Sequence, residues 1–115
     1  MTITLRQLIS HLSGLRHTTD ADLLHDYGLH ITNTTQTVRF FAHDPLLSAP
    51  GTHFHYSNNG WQLLGAVVEA VEKRSYHTVL NEFMNKRVMS RTQSDDRLQV
   101  LPHRGGQYQV GARFN

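Results

Sequence analysis

Pro50-Gly51-Thr52-His53-Phe54-His55-Tyr56-Ser57-Asn58-Asn59-Gly60-Trp61-Gln62-Leu63-Leu64-Gly65 holds a turn, a short extended piece and a helix start in one run. Pro50-Gly51 is turn chemistry, because proline presets one backbone angle and glycine accepts the rest. Thr52 to Tyr56 alternates in character and reads as extended. Ser57, Asn58 and Asn59 are residue types that accept the free amides at a helix start. From Trp61 to Val71 the chain is apolar around most of the helical circumference, which predicts a buried helix. Lys73 and Arg74 fall where the macrodipole favours cations. Ser75 opens a further helix whose face is Tyr76, Val79, Leu80, Phe83 and Met84.

Upstream, residues 4 to 15 read as a helix. Thr4 and Gln7 have capping-box spacing. Leu5, Leu8, Ile9, Leu12 and Leu15 recur at one-face intervals, and Gly14 can end the helix in a left-handed conformation. Residues 16 to 36 are rich in Thr, Asp, His and Asn, and read as a long loop with one short helix at 20 to 26. A short helix is expected from Thr37 to Asp44. Downstream, Ser90 to Arg97 is polar and reads as a loop. Leu98-Gln99-Val100 and Tyr108-Gln109-Val110 flank Pro102-His103-Arg104-Gly105-Gly106, the pattern of a β-hairpin. A two-stranded sheet is marginal alone, so the hairpin predicts neighbours. The class is therefore α+β, with a helical part over 1–89 and a loop and hairpin over 90–115.

At 115 residues the chain has the size of one domain. Charged residues make up 17%, too few for a highly charged disordered tail. No apolar run is long enough to span a bilayer, and the N-terminal residues lack a secretory or transit pattern. The absence of cysteine removes disulfides, thiolate metal sites and a cysteine nucleophile. A net charge of +2 is a weak field for nucleic acid, and no nucleic-acid partner is expected. Arg104, Tyr108, Arg113 and Phe114 are better explained as edge-strand residues.

Nine histidines would carry the net charge toward about +11 near pH 5. His53 and His55 share one face of an extended segment, but no carboxylate lies close in sequence to complete a metal site. The H-E-x-x-H spacing is absent. Neither a metal nor any other cofactor is expected. A histidine-based metal or pH sensor is the least supported reading. No G-x-S-x-G nucleophile elbow occurs, and Gly105-Gly106 is not followed by the lysine and helix of a phosphate loop.

The Pro50–Gly65 run resembles the second active-site motif, Tyr-X-Asn, of the serine β-lactamase and penicillin-binding-protein superfamily. The likeness is to the branch with a P-G-x-x-F-x-Y-S-N-x-G-Y-x-L-L-G pattern. Ile3 to Leu15 is similar to that superfamily's I-T-[IV]-R-x-L-L-x-H-x-S-G-L helix. Val38-Arg39-Phe40-Phe41 and Asp44-Pro45-Leu46 look most like the β-lactamase-like serine proteins of animal mitochondria. The resemblance is good from residue 3 to about 88 and looser beyond.

The resemblance implies the helical subdomain of a β-lactamase/transpeptidase-like fold and the start of a hairpin. By match, Tyr56 is the general base that helps move the nucleophile's proton, and Asn58 binds the substrate amide. Ser57 between them is better read as a helix cap. The superfamily's nucleophile motif, Ser-X-X-Lys, does not occur: Ala70 lies three residues before Lys73, and Phe83 three before Lys86. The superfamily places that motif upstream of the Ile3–Leu15 helix, so a fragment is expected. His103-Arg104-Gly105 has the letters of the third motif but comes too soon after Tyr56, and reads as a hairpin turn.

The parent reaction implied is serine attack on a peptide or amide, an acyl-enzyme, then hydrolysis. This chain alone is expected to be inactive, since covalent catalysis needs a nucleophile and oxyanion donors. The alternative is a non-catalytic binding or assembly module, self-associating through the face that packed on the sheet. Mitochondrial location is implied by the resemblance alone.

Overall fold

The computed structural model describes residues 2–19 and 34–89, together with Ala21 and Thr92. Four helices occur among the described residues: α1 (Leu5–Ile9), α2 (Thr34–Val38), α3 (Asn58–Glu72) and α4 (Tyr76–Asn85). No strand occurs among them. The hairpin expected over residues 98–110 and the short helix at 20–26 lie outside the described set, apart from Ala21, which is helical.

The capping box at α1 forms in both directions. Thr4 Oγ1 accepts the Gln7 amide at 3.2 Å, and Gln7 Oε1 accepts the Thr4 amide at 2.9 Å. The helix then ends at Ile9, well short of the expected residue 15. The cause is tertiary. His11 turns left-handed at φ 58°, and the next carbonyls serve other segments. His11 accepts the His55 amide at 2.9 Å, Leu12 accepts that of Gly51 at 2.7 Å, and Gly14 accepts that of Leu47 at 2.8 Å. Gly14 has the expected positive φ, 78°, but it sits in this crossing rather than at a helix end. A Cβ there would stand 2.3 Å from the Ser48 carbonyl oxygen.

α2 begins at Thr34, three residues before the expected start, and gives way to turns after Val38. The carboxylate of Glu69 in α3 sets that start. It accepts the Thr34 amide at 3.0 Å and the Thr34 hydroxyl at 2.6 Å. Its other oxygen accepts the Tyr76 amide at 2.9 Å, at the first residue of α4. One side chain thus places negative charge at two helix N-termini, where the macrodipole favours it.

α3 packs against each of the other three helices. Ser57 caps it, accepting the Gly60 amide at 3.1 Å, and Lys73 closes it in a left-handed conformation. Gly65 lets α2 approach, since a Cβ would meet Thr34 Cγ2 at 3.1 Å. The expectation that α3 is buried all round does not hold among the described residues. Trp61 is 48% exposed and Val71 73%. The buried apolar residues are Leu8, Leu15 and Phe41, with Ile3, Val38, Leu46, Leu63 and Leu64 packed around them. α4 starts under the Ser75 cap, as its sequence predicts, and half-buries Val79, Leu80 and Met84.

Candidate functional site

Tyr56 and Asn58 meet at the N-terminus of α3. The Tyr56 hydroxyl donates to Asn58 Oδ1 at 3.0 Å, and the tyrosine is 53% exposed. Between them Ser57 is fully buried and faces inward. Its hydroxyl donates to the Arg16 carbonyl at 2.7 Å while accepting the Gly60 amide. That geometry makes Ser57 a cap and a tie to the 11–17 segment, as its sequence position predicts. A buried hydroxyl with both partners engaged is no nucleophile.

The alternation of an extended segment explains the division of labour. Successive side chains point to opposite faces, so Tyr56 is left at the surface while Ser57 enters the interior. At Asn58 the helix begins, and its side chain turns back to the phenol.

Two histidines that composition alone does not single out complete the surroundings. The His11 ring lies 4.6 Å from the Tyr56 ring, centroid to centroid, and the His17 ring 5.5 Å. His11 also meets Trp61 and Phe54 edge-on at 5.5 and 5.8 Å. His11 Nδ1 accepts the Ser57 amide and His17 Nδ1 accepts the Asn58 amide, both at 3.3 Å. The signal available in sequence was the histidine of the Ile3–Leu15 pattern, which falls on His11. Nothing local marks His17. Next to it, Arg16 pairs with Asp44 at 2.5 Å and donates to the His17 carbonyl at 3.1 Å.

Asn59, one residue on, is buried. Its Oδ1 accepts the Thr18 hydroxyl at 2.8 Å, whereas Nδ2 is buried with no hydrogen-bond partner among the described residues. His53 and His55 have ring centroids 6.4 Å apart. Among the described residues no three His, Asp or Glu side chains converge as a metal site would require. His103-Arg104-Gly105 lies outside the described residues. An open groove of about 410 Å³, lined by Thr34, Trp61, Gln62, Leu64, Val68 and Tyr76, includes neither Tyr56 nor Asn58.

The arrangement offers a phenol that can give or take a proton and an amide beside it. No described helix is long and apolar enough to cross a membrane.

Known proteins are similar to this chain in sequence, and one of them in structure. The β-lactamase family pattern matches residues 1–106. Protein flp of Staphylococcus aureus (strain N315) is 33% identical over 76 residues, covering 65% of this chain and 15% of that protein. The mitochondrial serine β-lactamase-like protein LACTB of Mus musculus is 30% identical over 76 residues, covering 66% of this chain and 14% of that protein. The chain therefore spans only about one seventh of these relatives' length. Among solved structures, a penicillin-binding protein from Bacillus halodurans superposes with a TM-score of 0.60 at 33% identity. That match covers 77% of this chain and 27% of the other. With a family match across nearly its whole length and a shared fold, the chain belongs to the serine β-lactamase and penicillin-binding-protein superfamily.

Proposed function

We propose that this chain carries the second-motif half of a serine acyl-transfer site, with Tyr56 as general base and Asn58 as the binder of the substrate amide. The Tyr56–Asn58 hydrogen bond at the exposed start of α3 supports this reading. The parent reaction is hydrolysis of a peptide or amide through an acyl-serine. The serine and lysine of Ser-X-X-Lys belong to a part of the parent protein not represented in this sequence, which makes the 115-residue chain a fragment, inactive alone. Tyr56 becomes a competent base when that lysine's charge lies beside it, because a cation favours phenolate. Mitochondrial location is proposed on the mitochondrial relatives alone, since the staphylococcal ones are bacterial.

The test is acylation by a fluorescent β-lactam. The 115-residue chain should stay unlabelled, and a longer protein containing Ser-X-X-Lys should label. Tyr56→Phe in that longer protein should slow labelling about 100-fold or more, the usual size of a general-base contribution. Unchanged labelling of the variant would remove Tyr56 from the mechanism.

A second reading is favoured by the exposed apolar side chains Phe54, Trp61, Val71 and Phe83. The chain would then be a non-catalytic assembly module that self-associates. Concentration-dependent sedimentation, with no acylation of any longer form, would select it.

A further inference from the structure

We propose that His11 and His17 are positioning residues for the Tyr56–Asn58 pair, each a neutral ring protonated on Nε2 whose Nδ1 holds one of two consecutive backbone amides. The inference rests on the reading of Tyr56 and Asn58 as site residues and names what sets their geometry.

The two acceptors are specific. The Ser57 amide donates to His11 Nδ1 and the Asn58 amide to His17 Nδ1, each at 3.3 Å. A backbone amide can only donate, so each Nδ1 must present a lone pair and the ring proton must sit on Nε2. Asn58 is the first residue of α3, where amides have no acceptor within the helix. The Gly60 amide is taken by the Ser57 hydroxyl, and the Asn58 amide is taken by His17. Consecutive amides held by two rings fix the peptide that carries Tyr56 on one side and Asn58 on the other.

The rings also contact what they position. Both lie beside the Tyr56 ring, His11 at 4.6 Å and His17 at 5.5 Å, tilted by 47° and 43°. His11 pins its own backbone as well. It is left-handed at φ 58°, an uncommon conformation for a residue other than glycine. Its amide donates to the Leu8 carbonyl at 3.2 Å and its carbonyl accepts the His55 amide at 2.9 Å. Backbone strain of this kind persists only where surrounding contacts over-determine it, and here the His55 and Ser57 amides and the Leu8 carbonyl do so. Neither histidine needs to touch substrate. Each acts through the tripeptide Tyr56-Ser57-Asn58.

The roles of ring and acceptor separate by substitution. Asparagine can place Oδ1 where Nδ1 stood and tolerates the left-handed backbone, whereas phenylalanine keeps a ring without an acceptor. The experiment uses the full 115-residue chain, labelled for NMR. Long-range proton–nitrogen correlations on the unsubstituted chain at neutral pH read the ring tautomers directly. Both rings should carry the proton on Nε2. His17→Asn should keep Asn58 amide exchange near its original rate, while His17→Phe should speed it about tenfold, the loss of one hydrogen bond. The Tyr56 Cζ resonance should move in His17→Phe and return in His17→Asn, a rescue that a general packing role would not produce. His11→Asn and His11→Phe should divide in the same way at the Ser57 amide.

Protonation of either Nδ1 at neutral pH would overturn the proposal, as would equal behaviour of the Asn and Phe variants. The tautomer measurement needs no variant, so a misfolded substitution leaves that test intact. Acylation of the longer protein tests Tyr56 itself. The histidine clamp can therefore fail while the Tyr56 reading stands, and the reverse.

Discussion

At Ser57 one hydroxyl joins two parts of the chain. It caps α3 through the Gly60 amide and reaches the Arg16 carbonyl, all in a fully buried setting. Ser57→Ala should therefore lower stability by about 0.5–2 kcal/mol, the range for losing a helix cap. Urea unfolding followed by circular dichroism would measure it, and a change within about 0.3 kcal/mol would contradict the role given to Ser57. The residue also shows what a sequence discloses at this scale. A serine before two asparagines and an apolar run announces a cap, because capping is a local contact three residues long. The partnership of Tyr56 with Asn58 is similarly short in range. The contacts of His11 and His17 with the same segment cross 46 and 41 positions of chain, so spacing along the sequence carries no trace of them.

Among the elements, the start of α4 and the capping box of α1 were legible for the same reason: Ser75, Thr4 and Gln7 act on their own neighbours. The end of α1 was not. Leu12 and Leu15 continue the apolar period, yet Leu15 is buried from a loop and Leu12 gives its carbonyl to Gly51. Leu5 and Ile9 of the same period are more than half exposed, so the periodicity marks neither every inward residue nor the backbone it uses. The start of α2 depends likewise on Glu69, 35 residues away. Burial raises the pKa of that carboxyl. The Thr34 hydroxyl, the Tyr76 and Thr34 amides and the charge of His77 outweigh it, and hold the group below the ordinary glutamate range. A depressed folded pKa favours the ionised form in the fold. Its contribution is therefore full above the unfolded value of about 4.5 and is lost as pH falls through the lower folded value. Glu69→Gln should cost on the order of 1 kcal/mol at neutral pH, allowing for solvent screening of a partly exposed group. Its urea midpoint should fall less than the parent's between about pH 5 and pH 3. Parallel pH profiles would refute the two-helix role of Glu69.

For the molecule as a whole, the described residues form a helical layer with a small core of Leu8, Leu15 and Phe41. Several large apolar side chains on α3 and α4 remain open, Trp61, Val71 and Phe83 among them. The all-round apolar character of residues 61–71 predicts a helix buried on every side, whereas Trp61 and Val71 stay exposed among the described residues. The relatives, of which this chain matches about one seventh, fit the proposal that the remaining partners and the nucleophile belong to a longer protein. The most direct test is the intact mass of the native protein, captured through residues 50–65 and peptide-mapped. The expected species lies well above 13.2 kDa and carries a Ser-X-X-Lys peptide upstream of Ile3. A native mass of 13.2 kDa would contradict it and leave an assembly module as the reading of the fold.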